Sequence, residues 1–307
     1  MAHDAEDVRS LLCRLGDHVR ELVMDARGSA MSDVVGATAA DTIYAVDKVA
    51  DDALIGWFED QWPDVRVVSE GLDEPVVLGS PEWTVIVDTI DGTRGLMYDK
   101  RPAWCLAGAA PLGGSLADIA AAAMTELPVV KQGMADQLSA TKGGGIVAER
   151  IDLRNGSARG LEVRPSSATD LEHGFSQVAK FLLPGKVALS TLEAHLFERL
   201  GCHVVFDDEY LSNGGQLYEL ITGRDRFVAD LRPLVVDHED LASHPYDVCT
   251  SMLLGEVGGK VTDPWGGTLD VALDTVTPVA WVGFANKELA DWIGPILAEI
   301  VDELPVR

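Results

Sequence analysis

The segment WTVIVDTIDGT, residues 83–93, decides the reading of this chain. It opens as an apolar, strand-like run, Trp83 to Val87, and stops abruptly at Asp88. Thr89, Ile90, Asp91, Gly92 and Thr93 follow. Two carboxylates thus stand three residues apart at the mouth of a buried strand, ahead of a glycine turn and a hydroxyl. Carboxylates at a strand end bind a hard cation, and backbone N–H groups in a tight turn bind an anion. Together they point to metal-assisted chemistry on a phosphate group. The rival reading of the spacing is an Asx-type turn, in which both side chains cap backbone N–H groups.

Working outward, other acids fall where they could join the pair. VRVVSE at 65–70 reads as a short strand that delivers Glu70 to its end, although an exposed edge residue would look the same. Asp247 opens a helical run in HPYDVCTSML, where capping is the ordinary role of an Asp. Asp47, in TIYAVDKVADD, sits on a mostly apolar helical face, so it is either paired or mechanistic. The carbonyl of Ile90 adds an oxygen if the turn points it inward. Hard oxygen donors of this kind suit Mg²⁺ better than Zn²⁺.

The 307 residues are enough for one large or two medium domains, and 47% apolar content fits a folded globular protein. The formal charge of −26 repels nucleic acid polymers and anionic membranes. It also repels phosphorylated small molecules at long range, so a phosphate ester must be drawn in by metal or by local basic residues. The N-terminus, MAHDAEDVRSLLCRL, is acidic and amphipathic, unlike a secretory signal. The most apolar window, Trp104 to Met124, is interrupted by Pro111, Gly113, Gly114 and Asp118, and reads as two buried strands rather than a membrane span. Cys13, Cys105, Cys202 and Cys249 show neither metal-ligand nor disulfide spacing. A reducing cytoplasm is the expected location.

Helices are expected over 5–27, 43–62, 187–200, 246–256 and 287–304, the last containing Pro295. Strands are expected over 65–69, 83–87, 104–110, 136–152, 159–163, 203–206, 227–231 and 280–285, with a loop over 75–81. The stretch 214–220 reads as helix or strand. Strands and helices alternate in both halves, which predicts a layered α/β protein. An N-terminal lobe over 1–170 would hold most of the candidate ligands, and a C-terminal lobe over 171–307 would contribute Asp247, unless the two form one compact domain.

Three of these motifs, in order, resemble the inositol monophosphatase-like phosphatase family. VDTIDGT is similar to the first signature, usually DPxDGT, and SEG at 69–71 to the glutamate motif before it. SHPYDVCTSMLLGEVGGKVTDPWGG at 243–267 is similar to the second signature. The resemblance runs from about residue 10 to 300. It implies a five-layered αβαβα sandwich and Mg²⁺-dependent hydrolysis of phosphate monoesters, with two or three ions and Mn²⁺ as a substitute. It places Glu70, Asp88 and the Ile90 carbonyl around one ion, and Asp88, Asp91 and Asp247 around a second. It makes Thr93 and Asp47 the pair that activates water, with Glu70 orienting it, and gives the phosphate to the backbone at Gly92 and Thr93. It is also compatible with a homodimer.

The chain departs from that pattern at Thr89, where proline is usual, at Gly71, where a second acid is common, and at Tyr246, where tryptophan is usual. None of these removes an oxygen ligand. Arg94, Lys100 and Arg101 form a basic patch after Thr93; it either reads a second phosphate or carboxylate on the substrate or pairs with nearby acids. Asp240, seven residues before Asp247, is a second candidate for substrate contact. His238 and His244 read as ordinary surface histidines. The expected substrate is an inositol or sugar phosphate. A 3′-phosphonucleotide, or a non-catalytic phosphate-ligand sensor that retains the metal cage, is the alternative.

Overall fold

The computed structural model describes residues 3–26, 34–37, 42–208, 211–236 and 241–304, excepting the side chains of 34–37, 42–49 and 52. Helices α1 (Ala5–Ala26) and α2 (Ala45–Gln61) form the first layer, with a small ribbon of β1 (Val34–Ala37) and β2 (Thr42–Tyr44) between them in the chain. The apolar stripe of α1, Val8, Leu11, Leu12, Leu15, Val19 and Val23, is fully buried. It lies on an alanine-rich sheet and comes closest at Gly16, where an added Cβ would stand 2.1 Å from Thr125 Oγ1.

That sheet is the second layer. It comprises β3 (Arg66–Ser69), β4 (Val76–Val77), β5 (Trp83–Asp91), β6 (Ala103–Pro111), β7 (Ala121–Leu127), β8 (Met134–Thr141), β9 (Ile146–Asp152) and β10 (Ala158–Gly160). Its spatial order is β10-β9-β8-β7-β6-β5-β3-β4. Only β3 and β5 pair in parallel; the hairpin ladders on either side are antiparallel. β5 is buried along nearly its whole length, which is why its sequence reads as one apolar run. The expected loop over 75–81 instead contains β4, since Val76 and Val77 pair with Val67 and Arg66.

A short α3 (Thr93–Met97) follows the glycine turn, and α4 (Lys186–Arg199) opens the second half. There β11 (Phe175–Val178), β12 (Asp225–Asp230), β13 (Lys260–Thr262) and β14 (Trp281–Phe284) form a smaller sheet in the order β11-β12-β14-β13. Helices α5 (Asn213–Ile221) and α7 (Met252–Glu256) lie between the two sheets, and α6 (Arg232–Val235) follows β12. With α4, α8 (Lys287–Asp302) covers the outer face of the small sheet and runs through Pro295. The layers read αβαβα.

Two expected elements are shorter than predicted. HVVF contributes only a single bridge, Phe206 to Phe175. The helix expected over 246–256 is helical only from Met252; before it, Asp247 N bonds His244 O and Ser251 N bonds Val248 O in tight turns. Close packing accounts for this. The Cys249 carbonyl lies where a Cβ on Gly108 of β6 would come within 2.6 Å. All four cysteines are free thiols. Among the described residues no helix is long and apolar enough to cross a membrane.

Candidate metal centre

Residues three apart on a regular strand point to opposite faces of the sheet. Asp88 and Asp91 escape that rule through a bulge. Asp88 pairs with Leu106 and Asp91 with Trp104, so β5 has one more residue than β6 across this interval. The extra residue re-aims a side chain, as bulges beside functional sites do. Both carboxylates then meet Asp247, which arrives in the turn before α7. One oxygen from each of the three lies within 4.8 Å of the others.

Asp88 and Asp91 are buried, and Asp247 is nearly so. They open into a cleft of about 360 Å³ that is also lined by Glu70, Ile90, Thr93, Arg94, Arg232 and Tyr246. Burial is the main cause that drives all three acids up from the usual carboxylate range; repulsion by neighbouring carboxylates adds to it at Asp88 and Asp247, while hydrogen bonds from Ser212, Gly214 and Asn213 oppose it at Asp91. Asp91 is pushed to about 6 and Asp247 to about 7. Asp88 is raised well above the usual range, with the charges of Glu70, Asp91 and Asp247 all adding to its burial. In such a trio, positive charge placed among the acids favours ionisation of all three. Its donors are all hard oxygens, so the residues fit a divalent cation of the Mg²⁺ type.

Hydrogen bonds fix each acid. Asp88 Oδ1 accepts from the Ile90 N–H at 3.1 Å. Asp91 Oδ2 accepts from the Gly214 N–H at 2.7 Å. Asp247 accepts from Asn213 Nδ2 at 3.0 Å and from the His244 N–H at 2.6 Å. The Thr93 hydroxyl donates to the Ile90 carbonyl at 2.9 Å, tying together two residues of the turn. Gly92 between them has φ +97°, and a Cβ there would press on Ser212 Oγ at 3.0 Å, so only glycine suits this turn.

Glu70 follows β3 in an exposed turn, at the mouth of the cleft and near enough for its charge to raise Asp88. Arg94 is exposed and lines the same cleft. Arg101 is committed elsewhere: it makes a two-pronged ion pair with Asp208 at 2.8 and 2.6 Å, in a neighbouring cavity of about 350 Å³. Asp47 lies in α2, but its side chain falls outside the described residues, as does Asp240 altogether. One turn beyond Asp47, Asp51 accepts from the Thr89 hydroxyl at 2.9 Å and fills the space that a Cβ on Gly71 would need. His244, expected at the surface, is buried. Its ring stacks on Tyr246, and Tyr246 Oη lies 3.2 Å from its Nδ1. His238 lies outside the described residues.

The wall opposite β5 is the part that reading the sequence missed. The start of α5, Ser212-Asn213-Gly214, supplies donors to two of the three acids. Arg232 lines the cleft while clamped to Asp230 and stacked over Phe181. The available signal was Ser-Asn-Gly-Gly at 212–215, a polar cap followed by residues that allow close approach.

Compared by sequence, the chain matches no protein-family profile and no curated protein. Compared by structure, it is similar over nearly its whole length to several solved structures. A Thermotoga maritima IMPase matches with TM-score 0.66 at 17% identity, covering 97% of this chain and 100% of that one. Leishmania major fructose-1,6-bisphosphatase matches with TM-score 0.73 at 12% identity, covering 97% and 96%. Mycobacterium tuberculosis SuhB matches with TM-score 0.69 at 15% identity, covering 99% and 100%. The layer order, the sheet topology and these end-to-end superpositions agree that this chain has the inositol monophosphatase-like fold.

Proposed function

We propose that this protein is a Mg²⁺-dependent phosphatase of small phosphate monoesters, with a sugar or inositol phosphate as substrate. The observation that carries the reading is the meeting of Asp88, Asp91 and Asp247 beside the Gly92–Thr93 turn, in a cleft wide enough for a small ester. Structural neighbours that include an inositol monophosphatase and a fructose-1,6-bisphosphatase support the same class.

Asp88, Asp91 and Asp247 would hold the cation, with Glu70 at the cleft mouth and the Ile90 carbonyl as further oxygens. When bound, divalent cations neutralise phosphoryl oxygens and acidify water. The remaining work falls to the chain. Glu70 and Thr93 sit on the edge of the cleft, where a carboxylate and a hydroxyl can orient a water for in-line attack. The turn at Gly92 and Thr93 offers N–H groups to the phosphate. Arg94, exposed on the same rim, faces an incoming anion and offsets the long-range repulsion of an acidic surface.

Phosphate release from a panel of sugar, inositol and nucleotide monoesters tests the proposal. Turnover should require Mg²⁺ and stop with EDTA. Thr93→Ala should lower kcat by about 100-fold or more, in the range expected for a group that assists proton transfer. Ligand binding without turnover across the whole panel would make the protein a phosphate-ligand sensor instead.

A further inference from the structure

Asp247 differs from the other two acids in how it is held. It stands in a turn, not in a ladder, and both its oxygens are held by N–H donors. One donor is backbone, from His244. The other is the side-chain amide of Asn213, 3.0 Å from Asp247 Oδ1. An amide can present either its oxygen or its nitrogen, and its surroundings decide which. Here the decision falls chiefly to Trp281, because the Ser243 hydroxyl, 3.3 Å from the same amide oxygen, can either donate or accept. An indole N–H can only donate, and Trp281 Nε1 stands 3.0 Å from Asn213 Oδ1. A flipped amide would set N–H against N–H at the indole and oxygen against oxygen at Asp247. Both contacts are deep in the protein, with Asn213 6% exposed and Trp281 fully buried. Asn213 is also the first residue of α5, and its backbone N–H is directed at Asp91, so one residue serves two of the three acids.

We infer that Asn213, locked by Trp281, is the positioning residue that aims the Asp247 carboxylate into the metal centre, and that cation affinity depends on this pair. The inference rests on the metal-dependent reading above and adds to it two residues that act on the cation through an acid. A buried group that orients a ligand typically changes metal affinity by about 10–100-fold when removed.

The test is calorimetric titration of Mg²⁺ and of Mn²⁺ into the full-length protein and into Asn213→Ala, Trp281→Phe and the double variant, with thermal unfolding of each in metal-free buffer. Asn213→Ala should weaken binding of both cations by at least tenfold. Trp281→Phe should weaken it less, in the same direction, and should add nothing in the Asn213→Ala background, because the indole acts through the amide. Asn213→Ala that lowers the melting temperature but binds both cations within twofold of the unmodified protein would overturn the inference, as would additive effects in the double variant. If Asn213→Ala does not fold, a folded Trp281→Phe with unchanged affinity has the same force. No cation binding by the unmodified protein would defeat the metal-dependent reading itself. Binding that both variants leave intact defeats only the positioning role.

Discussion

Gly214 shows how little room a single residue has at this centre. A Cβ there would stand 2.7 Å from Asp91 Oδ2, 2.8 Å from Leu106 Cδ2 and 3.0 Å from Trp104 Cβ. Its N–H bonds the same Asp91 oxygen that the Cβ would strike. Gly214→Ala should therefore destabilise the protein by about 1–3 kcal/mol, the usual cost of overfilling a close-packed site, and weaken cation binding as well. Denaturant unfolding with and without Mg²⁺ would separate the two effects. At this scale the sequence spoke unevenly. Asp88, Asp91 and Asp247 were legible because they fall within ordered motifs that resemble a known family; taken singly, each also reads as an Asx turn or a helix cap. Asn213, Gly214, Trp281 and Arg232 were not, because an amide, a glycine, an indole and a guanidinium serve many structural ends. Only their distances reveal what they touch. Gly71 is similar: its meaning, room for the Asp51 carboxylate, lies in a helix some twenty residues upstream.

The candidate metal centre is built where secondary elements end: the bulged end of β5, the start of α5 and the turn before α7. Their convergence brings carboxylates together out of water, with a definite consequence for pH. Burial pushes Asp91 up to about 6 and Asp247 up to about 7 in the folded state, and raises Asp88 as well, against ~3.9 for Asp in an unfolded chain. Between those limits the folded metal-free protein holds protons that the unfolded chain has lost. Its stability must then fall as pH rises through the folded-state values, and the loss should be seen between about pH 5 and 8. Melting temperatures measured in EDTA across that range should decline, while the gain on adding Mg²⁺ should grow with pH. A metal-free melting temperature that climbs from pH 5 to 8 would contradict this account of the acids. The elements themselves were legible in proportion to their periodicity. The stripe on α1 and the apolar runs of β5 and β6 can be read directly. The bulge cannot, since nothing in DTIDG says that β6 opposes it with one residue fewer. The turns at 246–251 replaced an expected helix because the chain is pressed against Gly108, and that contact comes from a strand far away in sequence.

For the whole molecule, the balance of 50 acidic against 24 basic residues dominates. Like charges spread over one surface repel and destabilise the compact state, and salt screens them. Raising NaCl from 0.1 to 1 M, where the screening length falls from ~10 to ~3 Å, should raise the melting temperature, and a flat or falling response would show that local ion pairs dominate instead. The five layers follow from the order of elements in the chain, and the three spaced motifs pointed to them before any coordinates did. The substrate cannot be read the same way, because Arg94, on the rim that would choose it, faces outward and is not shaped by the core. One consequence reaches back to how the molecule is made. Asp88 and Asp91 leave the ribosome more than 150 residues ahead of Asp247. A nascent chain thus displays two of the three acids before the third exists. Only once the turn before α7 has been made and packed against the large sheet can Asp247 join them, so a cation held by all three would report that the two halves of the fold have come together.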